Sequence, residues 1–218
     1  MKTAELPFKF ITASYLTRIG LQRAANLAEL GRGLEECSDA SIFHHTFQTL
    51  GEHHFLTERF SNDFAQWVGA ASNCPELAEL LASLDIRDYL SLTELRSDLR
   101  RIIADYCRAY PHKATQTAFE PFYFCESLEV TVPLDRQAGT LAEFRSGLLS
   151  LSHASFHFHF ISSRLRLQLR TNDFSHWFAN SLGRSLLADR TNRIDVYTNT
   201  LDTAREKLLD LIEEEMHQ

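Results

Sequence analysis

The chain has 218 residues, of which 44% are hydrophobic and 23% are charged, a composition typical of a globular protein with a buried core. Its net charge of -7 argues against nucleic acid and anionic membranes as partners. The start has no basic segment followed by an apolar run, and no stretch reaches roughly 20 apolar residues, so we predict a soluble protein without a secretory signal. The four cysteines form no Cys-x-x-Cys pair, and we predict a cytoplasmic protein without disulfides.

The first half of the chain is repeated in the second half. At an offset of 114 residues, 14 of the 41 positions from 7 to 47 are identical to their partners, whereas composition alone gives about three. The motif Asn-Asp-Phe-x-x-Trp then begins at Asn62 and again at Asn172, and it contains both tryptophans of the chain. This self-similarity predicts an internal duplication.

The duplication sets the expected domain organisation. We expect repeat 1 at residues 7–110, a polar linker at 111–120, and repeat 2 at 121–218. The repeats are expected to form one compact body with pseudo-twofold symmetry. The elements below predict a helix-dominated α+β fold, in which a strand opens each repeat and several helices follow.

The opening strand is clearest in repeat 2. Residues 122–132 are rich in β-branched and aromatic side chains and are followed by Pro133, and residues 8–18 align with them. We expect the two strands to pair with each other. A helix follows in each repeat, at about 22–36 and 136–150, because large apolar residues recur there at helical spacing.

The next segment contains a repeated histidine. Phenylalanine and histidine alternate from 156 to 160, which favours a strand, but the aligned segment of repeat 1 does not alternate. A helix satisfies both copies, with Ser38 and Ser152 at the N-caps. It places His45 and His159 on an apolar face beside small hydroxylated residues.

The Asn-Asp-Phe-x-x-Trp motif is predicted to begin another helix. Asn62 and Asn172 are the expected N-caps, and Asp63 and Asp173 fall in the first turn, near the positive end of the helix dipole. Pro75 is expected to begin a further helix. Long final helices are predicted at about 91–110 and 201–217.

These doubled motifs resemble a bacterial and archaeal family known only as a domain of unknown function. Its members carry two copies of a Ser-Ile-aromatic segment with a nearby histidine, each followed by Asn-Asp-Phe-x-x-Trp. The matching segments here are residues 41–45, 62–67, 155–159 and 172–177. The resemblance covers essentially the whole chain and implies no established activity. The family's first copy often has a second histidine two residues after the first, where this chain has Phe47, and this departure weakens a metal-site interpretation.

The repeated histidines and aspartates are the first candidate site. His45, His159, Asp63 and Asp173 have the residue types of a metal or acid–base centre. The alternative is a pair of core histidines hydrogen-bonded to neighbouring helices. No His-x-x-x-His spacing accompanies them, which favours the core interpretation, and no metal site is predicted.

The capped helix is the second candidate. Its N-terminus and tryptophan are typical of an anion or sugar cradle, but capping and core packing explain every residue in both copies. The ligand-binding candidates are therefore the repeated histidines and the polar and aromatic residues of this motif. They are His45, His159, Asn62, Asp63, Trp67, Asn172, Asp173 and Trp177.

Three further groups have both a functional and a structural interpretation. Glu29 and Glu143 point away from the core and are either paired catalytic carboxylates or solvated acids. A histidine-rich segment is either a metal site or a solvated loop; its members are His44, Glu52, His53 and His54. A group of arginines is either an acceptor for an acidic ligand or a salt-bridged surface; its members are Arg164, Arg166, Arg170, Arg184, Arg190 and Arg193.

The sequence leaves three functional hypotheses. The first is a non-catalytic protein that binds a ligand or partner or regulates one, because no phosphate loop, nucleophile elbow or dinucleotide fingerprint is present. The second is a metal-dependent enzyme in which the repeated histidines and aspartates meet near the pseudo-axis. The third is a phosphate or nucleic-acid binder that uses the arginine-rich second half. No cofactor is implied, and the partner is an unknown protein or small molecule.

Overall fold

The computed structural model describes residues 3–48, 60–167 and 170–217. The fold is helix-dominated α+β, as predicted. The first half of the chain contains, in order, β1 (Phe8–Ala24), α1 (Leu27–Glu36), α2 (Asp39–Phe43), α3 (Asp63–Ala70), α4 (Pro75–Ala82), a 3₁₀ turn (Ile86–Asp88), α5 (Leu92–Ala109) and α6 (Pro111–Ala114). The second half contains β2 (Phe122–Ala138), α7 (Leu141–Leu149), α8 (His153–His157), α9 (Ser163–Leu167), α10 (Asp173–Asn180), α11 (Ser185–Asn192) and α12 (Leu201–Met216).

The two strands pair with each other in one two-stranded sheet, which confirms that prediction. Both are longer than expected, since β1 ends at Ala24 and β2 at Ala138 rather than at 18 and 132. β2 continues through Pro133, because in a two-stranded sheet every second N–H points away from the partner and a proline there loses no ladder bond.

The predicted helix starts at 22 and 136 are therefore wrong. Asn26 accepts a hydrogen bond from the N–H of Glu29, and the Glu29 carboxylate accepts one from the N–H of Ala25 at 2.8 Å. Thr140 and Glu143 form the same reciprocal arrangement at the start of α7. These caps fix the helix starts at Leu27 and Leu141, and they give the two repeated glutamates a structural role.

The histidine segment is helical in both halves, as predicted. Ser38 and Ser152 are the N-caps, and their hydroxyls accept hydrogen bonds from the N–H groups of Ser41 and Ser155. Each helix then widens into a π-helical turn, at His44–Gln48 and Phe158–Ser162. The π-helical turns carry the repeated histidines and were not predicted from the sequence.

The chain divides into two compact units. Unit 1 comprises Met1–Ser14 and Glu129–Gln218, and unit 2 comprises Tyr15–Leu128. Each unit thus combines the helices of one predicted repeat with the strand segment that opens the other repeat. The segment 111–120, expected to be a linker, contains the short helix α6 in unit 2. The pseudo-twofold relation of the repeats stays a prediction.

Each core is built around phenylalanines of the opening strand. In unit 1, the Phe8 ring lies 5.1 Å from that of Phe144 and 5.7 Å from that of Trp177. In unit 2, the Phe122 ring lies 5.2 Å from that of Phe64 and 5.9 Å from that of Trp67. In the described ranges, no helix has the length and apolar character needed to cross a membrane.

In each unit, a repeated glycine in the first helix allows a strand to approach that helix closely. A Cβ at Gly33 would lie 2.2 Å from the Phe124 ring, and a Cβ at Gly147 would lie 2.3 Å from the Phe10 ring. Both rings are buried. Any side chain at these glycines would therefore force the strand and helix apart.

Candidate functional site

In unit 2, the π-helical turn places His45 between strand β2 and helix α3. The N–H of Cys125 in β2 donates to His45 Nε2 at 2.9 Å, and His45 Nδ1 lies 2.8 Å from Asp63 Oδ2. The His45 side chain is only 5% exposed, and its ring is covered by Phe64 and Phe122. We call this arrangement the unit 2 tie.

In unit 1, the same arrangement holds β1. The N–H of Ile11 donates to His159 Nε2 at 2.9 Å, and His159 Nδ1 lies 2.6 Å from Asp173 Oδ2. The His159 side chain is 2% exposed and is covered by the rings of Phe8 and Phe174. We call this arrangement the unit 1 tie.

The hydrogen bonds define the tautomer of both histidines. A backbone N–H can only donate, so Nε2 of each imidazole must accept and carries no proton. The proton of the neutral ring is then on Nδ1, where it is donated to the aspartate. Each tie therefore connects a strand amide, a neutral imidazole and a carboxylate at a helix N-terminus, where the helix dipole favours negative charge.

The asparagines of the repeated motif cap the helices that carry the two aspartates. Asn62 caps α3 by accepting from the N–H of Ala65 at 2.9 Å, and Asn172 caps α10 by accepting from the N–H of Ser175 at 2.9 Å. The caps predicted at both positions are confirmed.

The two tryptophans bind the chain just before each strand. Trp67 Nε1 donates to the carbonyl of Glu120 at 2.8 Å, and Trp177 Nε1 donates to the carbonyl of Leu6 at 2.7 Å. Both side chains are buried, with 8% and 5% of the residue exposed. Their indole N–H groups are thus engaged inside the fold, which supports the structural interpretation of the motif.

The predicted site residues are therefore brought together in pairs. His45 meets Asp63 in unit 2, and His159 meets Asp173 in unit 1. Both nitrogens of both rings are engaged within their own unit. The hypothesis of a metal-dependent enzyme needs a ring nitrogen from each histidine, and this geometry gives it no support.

The unit 2 tie has polar neighbours that the unit 1 tie lacks. His44 is 8% exposed, and its Nδ1 lies 2.8 Å from the hydroxyl of Ser127. Cys125 is partly exposed, and burial followed by the Asp63 charge raises the pKa of its thiol. The positions aligned with His44 and Cys125 are Phe158 and Ile11. The sequence suggested His44 as a ligand candidate but not Cys125.

A carboxylate of β2 also binds the start of α2. Glu126 accepts a hydrogen bond from the Ser38 hydroxyl at 2.6 Å and pairs with Arg18. The Ser38 hydrogen bond, followed by that of Arg18, lowers the pKa of the Glu126 carboxyl. This contact adds a charged link between the strand and the histidine helix in unit 2.

Some of the arginines of the second half form ion pairs. Arg190 lies 2.6 Å from Glu214, and Arg184 pairs with Glu215, so both bind α12. Arg164 is only 5% exposed. These contacts favour the salt-bridged interpretation of this group. Glu52, His53 and His54 lie outside the described residues, as does the side chain of Arg166.

A groove lies between α1 and α5 in unit 2. Its volume is about 430 Å³, within the range of small-molecule sites. Ala28 and Ala104 supply exposed apolar surface above the buried Leu27 and Ile103, and Arg32 and Arg101 lie along the lining. No sequence motif marks this groove, because its residues come from two helices about 70 positions apart.

Comparisons with known proteins place the chain without assigning an activity. Residues 5–213 match DUF5752, described as a family of unknown function. The chain is similar to the solved structure of OrfY from Thermoproteus tenax, with a TM-score of 0.85 and 28% sequence identity, over 99% of this chain and 98% of that one. A comparison with curated proteins found no significant match.

Proposed function

Because the chain belongs to DUF5752, a family of unknown function, its role must be argued from its own residues, and we propose that it is a non-catalytic ligand-binding protein. The observation that carries this proposal is the groove between α1 and α5. We propose that the groove binds a small amphipathic anion, whose apolar part lies on the helices and whose acidic group meets the arginines.

The repeated polar residues support a non-catalytic role. In each tie the imidazole and the carboxylate hold a strand to a helix, and the aromatic rings that cover the histidine separate it from solvent. Residues that occur in both units are accounted for by these structural contacts. The groove, by contrast, has features that belong to unit 2 alone.

The basic lining of the groove is not repeated. Arg32, Arg100 and Arg101 align with Ser146, Leu209 and Asp210 in the second half. The fold of unit 1 therefore forms without arginines at these positions. Residues that the fold does not require are the better candidates for function.

The charge of the groove favours an anion. Three arginines and one glutamate line it, and the glutamate, Glu35, is paired with Arg100 at 2.9 Å. Arg101 also lies 2.8 Å from Asp98. The positive excess suits a carboxylate, sulfonate or phosphate group, because guanidinium groups bind such anions in bidentate fashion.

Binding of the fluorescent probe 8-anilinonaphthalene-1-sulfonate tests this proposal, because the probe joins an aromatic body to a sulfonate. We expect saturable binding to one site on the folded chain. Arg32→Glu should weaken it at least tenfold, since it reverses the charge next to the sulfonate.

The matched control is Arg108→Glu, which alters an exposed arginine of α5 that lies outside the groove. This variant should bind the probe as the unaltered chain does. Competition with aliphatic carboxylates and phosphates then identifies the preferred head group. Absence of saturable binding, or equal weakening in both variants, would overturn the proposal.

A further inference from the structure

The two ties differ in a way that points to a ligand. Each tie contains a histidine, an aspartate and a strand amide in the same arrangement, so those groups are explained by the fold. Only unit 2 adds a second histidine and a thiol, at positions that unit 1 fills with Phe158 and Ile11. Since unit 1 folds around apolar residues there, His44 and Cys125 are not needed to build the tie.

The three side chains form a compact cluster. One ligand atom from each of His44, His45 and Cys125 lies within 4.8 Å of the other two. The two histidines are buried, and the cysteine is partly exposed. Among the described residues, this is the group of histidine, cysteine and acidic side chains that meets the spacing of a metal site.

We propose that His44, His45 and Cys125 bind one zinc ion. Two imidazoles and a thiolate are a ligand set that suits zinc and its spectroscopic substitute Co²⁺. Because Cys125 is partly exposed, the fourth ligand is water. The thiol proton is released to solvent when the sulfur binds the metal.

The second ring nitrogens are already held as metal-ligating histidines require. His45 Nδ1 lies 2.8 Å from Asp63 Oδ2, and His44 Nδ1 lies 2.8 Å from the Ser127 hydroxyl. Metal-binding histidines nearly always have such a partner, which orients the ring and fixes its tautomer. In both rings Nε2 is thereby assigned to the metal.

Binding must replace an existing contact of His45. In the structure, His45 Nε2 accepts the N–H of Cys125 at 2.9 Å, and zinc at this nitrogen takes its place. Ligand atoms around zinc lie about 3.3–3.8 Å apart, given bonds of about 2.0–2.3 Å, so the cluster must contract by roughly 1 Å. We therefore expect weaker binding than in a preformed structural zinc site.

Cobalt spectroscopy on the full-length chain tests the site. The protein is purified without a histidine tag, stripped with a chelator, and titrated with Co²⁺ and then with Zn²⁺. We expect one Co²⁺ per chain, a thiolate-to-cobalt charge-transfer band and tetrahedral d–d bands, all of which disappear when Zn²⁺ displaces Co²⁺.

The residues that unit 1 has at the aligned positions can replace the ligands of unit 2 without disturbing its core. Cys125→Ile and His44→Phe introduce the residues that unit 1 has at the aligned positions. Cys125→Ile should abolish the charge-transfer band, and His44→Phe should weaken Co²⁺ binding at least tenfold. Cys107→Ser, which alters a thiol outside the cluster, is the control and should leave the spectrum unchanged.

Circular dichroism verifies that each variant is folded before titration. A spectrum without a charge-transfer band, or Co²⁺ binding that persists unchanged in folded Cys125→Ile, would overturn the zinc proposal. The result is independent of the groove, since none of the three ligands lines it. A chain that fails to bind Co²⁺ therefore leaves the anion-binding proposal intact, and a groove that fails to bind the probe leaves the zinc proposal intact.

Discussion

The backbone N–H of Cys125 donates a hydrogen bond to Nε2 of His45, a residue 80 positions earlier in the sequence. Through this contact a helix of the first predicted repeat holds the strand that opens the second. Ile11 and His159 form the reciprocal contact in unit 1. The strand segments are thus exchanged between the repeats, and each unit depends on residues from both halves of the chain.

Loss of a tie should destabilise the protein measurably. His159→Phe keeps an aromatic ring in the core but removes the hydrogen bonds that the imidazole makes with the Ile11 amide and the Asp173 carboxylate. We expect the free energy of unfolding to fall by about 1–3 kcal/mol, the cost of removing one partner from hydrogen bonds of partly buried groups. Urea denaturation measures the change.

The control for this substitution is His153→Ala, also in unit 1. The His153 side chain is 44% exposed and pairs with Asp202 at the surface, so its removal should cost less than about 1 kcal/mol. Equal stability of His159→Phe and the unaltered chain would show that the unit 1 tie contributes nothing to folding.

The close approach of strand and helix makes Gly33 sensitive to substitution. In Gly33→Ala the added methyl group meets the buried Phe124 ring, and overpacking of this kind costs about 1–3 kcal/mol. A Cβ added at Gly31, in the same helix, would lie 3.7 Å from the Ile103 side chain, which is an ordinary contact distance. Gly31→Ala should therefore be neutral or stabilise the helix by up to about 1 kcal/mol. Thermal denaturation distinguishes the two, and a Gly33→Ala protein as stable as Gly31→Ala would refute the packing argument.

The Glu126 carboxylate should stabilise unit 2 in a pH-dependent way. Its pKa is lowered in the folded chain by the Ser38 hydroxyl and then by Arg18. A lowered folded pKa means that the stabilisation is fully present above the unfolded pKa, about 4.3 for glutamate, and is lost as the pH falls through the folded pKa.

Urea midpoints at several pH values measure this effect. Glu126→Gln should be less stable than the unaltered chain near neutral pH, and the difference should shrink as the pH falls below about 4.3. Glu129→Gln, at an exposed position of the same strand, should show no comparable trend. A difference that does not change with pH would mean that the Glu126 charge is not responsible.

Much of the local structure was predictable because the sequence presents it twice. The caps at Ser38 and Asn62 have the residue type and spacing that start helices, and both recur. The capping glutamates were open to the same reasoning, since Asn26-x-x-Glu29 is a helix-start pattern. A prediction based on apolar spacing alone extends the helix back into the last residues of β1.

Other features of the structure are difficult to predict from the sequence. A π-helical turn needs one extra residue per turn, and nothing in the composition around His45 reveals it. The exchange of strands is equally hidden, because Phe8 and Phe122 are chemically identical partners for either set of helices. The groove and the proposed zinc site combine residues from distant segments, and in the sequence only differences between the repeats, such as Arg32 against Ser146, distinguish their residues.

The central claim is that each repeated histidine is a neutral structural link with its proton on Nδ1. Long-range ¹H–¹⁵N NMR of the histidine rings tests it most directly, with His45→Phe and His159→Phe used to assign the signals and exposed His112 as the reference. We predict that His45 and His159 both show the neutral Nδ1–H tautomer near neutral pH, without the tautomer averaging of an exposed ring. An Nε2–H tautomer, or an imidazolium in either residue under these conditions, would contradict the hydrogen bonds from Cys125 and Ile11 and with them the proposed role of both ties.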